Sequence, residues 1–138
     1  MKKVVIDTNA LISFVTDRNP AQQEKIAGVI EAASRLKLMI LCHQNVLTEF
    51  VYVMEKVYHL PKGEIHGMVK DFIAMPGVEI VHDLDCKTLL SLWPEMIADF
   101  GDAILAAFGK SRKDAEIVSF DAGFVKVARK IGLKVHSF

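Results

Sequence analysis

Short apolar runs of strand length alternate along this chain with longer stretches whose apolar residues recur at helical spacing. That alternation restricts the fold to an α/β architecture with a mainly parallel sheet. The first run, Val4-Val5-Ile6, is β-branched and stops at an acid, Asp7. Further strands are expected at Leu38–Leu41, Val78–Val81, Glu116–Phe120 and Leu133–His136, five in all. Helices are expected over Ala10–Val15, Pro20 to about Leu36, His43–Tyr58, Pro61 to about Ala74, Cys86–Trp93, Ala103–Phe108 and Phe124–Lys130. Pro20 suits a first helical turn, Pro94 must start a new segment or kink an old one, and Gly132 marks a helix stop.

At 138 residues the chain is expected to form one domain, 1–138, large enough to bury a core without disulfides. The hydrophobic share of 51% suits strands covered on both faces. Seventeen basic and 17 acidic residues cancel, so no global charge advertises a nucleic-acid partner. From Lys110 onward the balance turns basic: Lys110, Arg112, Lys113, Lys126, Arg129, Lys130 and Lys134 against Asp114, Glu116 and Asp121. A solvated helix face is the plain account of such residues, and a groove basic on one side is the other. Cys42 and Cys86 match no zinc or C-x-x-C spacing and read as core thiols in a reducing compartment. No stretch has the length of a membrane span or a signal-peptide core, so a cytoplasmic protein is expected.

The acids carry the functional question. Asp7 and Asp121 each follow an apolar run, and Asp102 opens the Ala103–Phe108 stretch. Capping accounts for any one of them, because aspartate accepts from free N–H groups at a helix start and favours the positive end of its dipole. Glu49 lies in mid-helix, where it caps nothing; alone, it reads as a boundary residue reaching solvent. The combination is more specific. Parallel central strands would deliver Asp7 and Asp121 to one sheet edge, where helix N-termini bring Asp102 as well. Converging carboxylates repel one another and resist ionisation. A hard divalent cation, Mg²⁺ or Mn²⁺, removes the conflict and also promotes phosphodiester chemistry.

In this respect the chain resembles the PIN domain, a family of metal-dependent ribonucleases that includes VapC-type toxins. The residues that carry the likeness are Asp7-Thr8-Asn9 with Ala10-Leu11-Ile12, then Asn45-Val46-Leu47-Thr48-Glu49-Phe50, then Asp102-Ala103-Ile104-Leu105-Ala106-Ala107, and finally Val118-Ser119-Phe120-Asp121. The resemblance implies a three-layer α/β/α sandwich with a central five-stranded sheet. It also implies that Asp7, Glu49, Asp102 and Asp121 form an acidic quartet around Mg²⁺ or Mn²⁺, supported by Thr8, Asn9 and Ser119. Asp99, three residues before Asp102, is either a supporting group or a cap.

An endoribonuclease cutting RNA is the activity the resemblance implies, with Lys110, Arg112 or Lys126 offered to the RNA backbone. As a toxin, such a protein would pair with a small antitoxin and form a homodimer. A housekeeping RNA-processing nuclease and a non-catalytic RNA- or protein-binding domain are the alternatives. An aspartyl-phosphate phosphatase is disfavoured because Asn9 stands where a second aspartate belongs, and no G-x-x-x-x-G-K-[ST] phosphate loop occurs. The five histidines are scattered and read as surface or core residues.

Overall fold

The computed structural model describes residues 1–138. Strand β1 (Lys2–Ile6) is followed by α1 (Thr8–Val15) and α2 (Pro20–Ser34), then β2 (Leu38–His43), α3 (Gln44–Lys56), α4 (Lys62–Ile73) and β3 (Val78–Val81). Helices α5 (Cys86–Leu92) and α6 (Phe100–Ser111) lead to β4 (Ala115–Val118), α7 (Ala122–Lys130) and β5 (Lys134–Val135). The sheet order is β3-β2-β1-β4-β5, and every pairing is parallel. Right-handed crossovers therefore put α1 to α4 on one face and α5 to α7 on the other, a three-layer α/β/α sandwich.

Strand β1 sits at the centre because Val4, Val5 and Ile6 have no exposed surface and pair with β2 and β4 on either side. One continuous core of 34 buried hydrophobic residues runs through both layers. It includes the α6 run from Ala103 to Phe108, so the apolar-all-round reading of that segment holds. Between β1 and β4 the direction of winding reverses. In open α/β sheets such a switch point leaves a crevice outside the strand C-termini.

The boundaries differ from expectation where a side chain or a partner strand decides them. Strand β4 ends at Val118, not Phe120, because its partner β1 ends at Ile6 and the register pairs Ile6 with Val118. Helix α6 begins at Phe100, a turn before Ala103, since the Asp99 carboxylate accepts from Asp102 N at 2.9 Å. Strand β2 runs on to His43, which also caps α3 through its ring: Nδ1 accepts from Asn45 N at 3.1 Å. Gly132 follows α7 at φ +88°, a left-handed turn open to glycine. The Trp93–Pro94 bond between α5 and α6 is cis. Cys42 is buried as expected, but Cys86 is exposed: as the first residue of α5 it lies off the face that Leu89 and Leu92 bury.

Candidate active site

Asp7 is the first residue beyond β1, and its backbone N–H still donates to Val118 O at 3.1 Å, prolonging the ladder by one bond. The side chain caps α1, Oδ1 accepting from Ala10 N at 2.7 Å. Only 6% of it is exposed, so a carboxylate stands inside the molecule at the switch point. Across the register lies Ser119, level with Asp7 and buried. Its Oγ accepts from Asp121 N at 3.1 Å, and Asp121 caps α7 by accepting from Phe124 N at 3.0 Å. The two strand-end acids thus share a serine between them.

The remaining acids arrive from opposite layers. Glu49 projects from the second turn of α3, where Oε1 accepts from Thr8 Oγ1 at 3.0 Å and from Asn45 Nδ2 at 3.2 Å. Asp102 is in the first turn of α6, half-buried, and is not the cap; Asp99 holds that position. Gly101 leaves the space that the Glu49 carboxylate occupies. A Cβ at that position would lie 2.6 Å from Glu49 Oε2, inside any permitted contact. Asp7, Glu49, Asp99, Asp102 and Asp121 line one recess of about 240 Å³, together with Thr8, Asn9, Asn45 and Gly101.

No lysine or arginine lines that recess. Burial pushes the Asp7 carboxyl up to about 6; the Ser119 hydroxyl, the Ala10 N–H and nearby Arg18 work against it. Asp102 is pushed up to about 7 by burial and then by the charges of Asp99, Asp121, Asp7 and Glu49. Burial also raises Glu49, with Asp99 adding to it and the Thr8 hydrogen bond opposing it. The donors are all hard oxygens carrying excess negative charge, the chemistry that suits Mg²⁺ or Mn²⁺. As they stand, however, no three acid, histidine or cysteine side chains converge tightly enough to hold an ion, so a ligand set would require the carboxylates to draw closer together.

All four expected acids line the one recess without converging on a point, with Thr8 and Asn9 on its wall and Ser119 beneath. Asn45, Gly101, His43 and Arg18 were not anticipated. Asn45 is one turn before Glu49 on the same helical face, a spacing visible in sequence. Arg18 gave no signal; it comes beside the recess, not into it, because the loop after α1 folds back to donate from Nη2 to Asn9 O at 2.9 Å. Lys110 and Arg112 lie elsewhere. They line a separate cavity with Lys113 and Lys134 at the N-terminal ends of β4 and β5, and Arg112 is paired with Asp83 at 3.2 Å. Helix α6 runs its length away from Asp102, which puts Lys110 roughly 12 Å along the axis from it.

Comparison with known proteins agrees with this architecture. The crystal structure of VapBC2 from Rickettsia felis bound to a DNA fragment from their promoter contains a matching chain, with a TM-score of 0.68 over 97% of each chain. Identity is 15%, so the likeness is one of fold. No curated protein matches the chain. A family model described as PIN domain matches residues 4–130, from the central strand through the last helix, and the chain belongs to the PIN domain family.

Proposed function

We propose that this protein is a Mg²⁺- or Mn²⁺-dependent endoribonuclease, with Asp7, Glu49, Asp102 and Asp121 as its metal-holding residues. The observation that carries the reading is the recess itself: five carboxylates, no lysine or arginine, and two acids held near neutrality in their pKa. A bound divalent ion supplies Lewis acidity, activating water and offsetting charge on the phosphodiester. Asp7 is the fixed member, gripped by its cap bond. Glu49 is oriented by Thr8 and Asn45 yet keeps Oε2 free of hydrogen bonds. Ser119 holds the turn that presents Asp121. Asp99 acts as helix cap and as a negative neighbour that raises Asp102.

Membership of the PIN family supports a nuclease, and the fold of the VapBC2 chain supports the toxin of a toxin–antitoxin pair. An antitoxin would be a small protein, and an apolar cavity of about 200 Å³ among Leu11, Phe14, Leu47, Phe50, Met68 and Phe72 supports a protein partner on the α1–α3–α4 face. A homodimer and residence in the cytoplasm belong to the same reading, as does a single domain over 1–138. No helix is long and apolar enough to cross a membrane.

The test is cleavage of single-stranded RNA by purified protein with Mn²⁺ or Mg²⁺, against EDTA and against Asp7→Asn. Asparagine keeps the helix cap but removes the charge, so the variant should fold and its rate should fall by at least about a hundredfold. Wild-type rates from Asp7→Asn would refute the assignment.

A further inference from the structure

Beside the acidic recess lies a second hollow, of about 350 Å³, lined by Asn9, Arg18, Asn19, Gln22, Phe120 and Asp121. Asn9 and Asp121 line both hollows, so the two adjoin. Its size falls at the lower end of small-ligand sites. Its lining is of a different character from the acids next door.

Three amides and a guanidinium project here; Arg18, Asn19 and Gln22 are each held by one end and free at the other. The fully buried hydroxyl of Ser13 is the anchor. It accepts from Arg18 Nε at 3.2 Å and Nη2 at 2.9 Å, and donates to Gln22 Oε1 at 3.0 Å. Arg18 Nη1 and Gln22 Nε2 have no protein partner. Asn19 accepts from Gln22 N through Oδ1 at 3.1 Å, which leaves its Nδ2 free, and the Asn9 side-chain amide makes no hydrogen bond at all. The rest of the lining is the Phe120 ring and the shared Asp121 carboxylate, and Phe138 backs Phe120 from behind, leaving one ring face for a ligand. Phe120 stacks on Phe138 with centroids 4.9 Å apart and planes at 17°, and His136 meets Phe138 edge-on.

We infer that this hollow is a subsite for one unpaired nucleotide of the RNA, with the base stacked against Phe120, its edge read by the amides, and a phosphate near Arg18. An aromatic face beside free amides and one cation is how proteins hold splayed-out bases. Amide groups can both donate to and accept from a base edge, whereas the acid-lined recess offers mostly acceptors. The subsite lies next to Asp121, so a nucleotide held there would adjoin a phosphodiester at the acids. This inference rests on the proposed ribonuclease activity for its choice of ligand.

The experiment uses a short single-stranded oligoribonucleotide containing 2-aminopurine, whose fluorescence drops on stacking, bound to the full chain in EDTA so that no cutting occurs. Wild type should quench the probe. Phe120→Leu, which keeps apolar bulk without an aromatic face, should bind about tenfold more weakly and lose the quench, and Phe120→Tyr should restore both. Gln22→Glu, which keeps an oxygen to accept from Ser13, should also weaken binding, by removing the free donor and adding a charge against phosphate.

With Mn²⁺ added, KM of Phe120→Leu should rise by the factor seen in binding while kcat changes less. Wild-type cleavage with unaltered KM and quench in Phe120→Leu would overturn the subsite and leave the nuclease reading intact. Binding and Phe120-dependent quenching without cleavage by any metal would do the reverse. A wild-type protein that fails to bind or quench the probe would also overturn the subsite.

Discussion

The Thr8 hydroxyl donates to Glu49 Oε1 at 3.0 Å, joining residues 41 apart in sequence and two helices that begin at neighbouring strand ends. Thr8 is the first residue of α1 and so immediately follows Asp7. Whatever fixes Asp7 at the end of β1 therefore also positions Glu49. Hydrogen bonds to a charged group contribute about 1.5–3 kcal/mol. Thr8→Val preserves shape and removes the donor, and kcat/KM for RNA cleavage should fall about tenfold. Thermal denaturation should show a fold little changed; an unaltered kcat/KM would mean Glu49 needs no orienting.

Gly101 makes a sharper case, since the obstacle is steric. Alanine there would set its Cβ 2.6 Å from Glu49 Oε2 and 3.1 Å from its Cδ. The glutamate tip must shift, which disturbs the Oε1 bonds to Thr8 and Asn45. Alanine is also the better helix former, by about 1 kcal/mol in a helix interior and by less in a first turn such as this one. Gly101→Ala should therefore leave the melting temperature level or slightly raised while activity drops roughly tenfold to a hundredfold. Stability and activity moving in opposite directions is the signature to look for.

Asp102 predicts a pH dependence of stability. Its carboxyl is ordinarily half-protonated near 3.8 and in the fold near 7. Between those values the folded protein binds more protons than the unfolded one, so its contribution is favourable at low pH and is lost as pH rises through about 7. Without metal, Asp102→Asn should melt several degrees higher than wild type at pH 8, on the basis that 1 kcal/mol moves the midpoint by roughly 3–6 °C. The advantage should vanish by about pH 4. Added Mn²⁺ should raise the wild-type midpoint and leave Asp102→Asn nearly unmoved.

His43 predicts the opposite slope. The ring is buried; Nδ1 accepts from Asn45 N, so the proton sits on Nε2, which donates to Asp83 O at 3.1 Å. Burial lowers its pKa from the usual 6.5, with the Asp83 carbonyl and charge opposing. Below 6.5 the unfolded chain takes up the proton first, so stability is lost as pH falls through that range. Because Asp7 and Asp102 slope the other way, the effect is isolated as wild type minus His43→Asn, asparagine being an adequate cap. That difference should shrink as pH drops from 7 to 5, in matched urea titrations.

A charge swap at Lys110 tests where RNA does not run. Lys110 is exposed at the far end of α6 among the cations of the opposite sheet edge. Lys110→Glu should change KM for a short oligonucleotide by less than about twofold, because a charge that far off is mostly screened at physiological salt. A tenfold rise would bring RNA across that edge.

Local chemistry carried much of this protein. Alternating periods set the α/β class, β-branched Val4 to Ile6 marked the central strand, and aspartates at element junctions announced Asp7 and Asp121 as caps. The acids also came in the right order, because each stands beside an apolar run whose type could be read from its neighbours. Distances between elements were another matter. That Ser119 rather than Asp121 faces Asp7 depends on the β1–β4 register, which no single strand encodes. That Asp99 caps α6 while Asp102 enters the recess depends on which N–H a short side chain reaches first. Gly101 against Glu49, Arg18 against Asn9 and the removal of Lys110 to the far edge follow from how helices in separate layers approach one another. Approach is settled by packing of the whole core. The sequence on its own therefore named the charges, and the tertiary structure decided which of them share one dielectric cavity and hold their protons toward neutral pH.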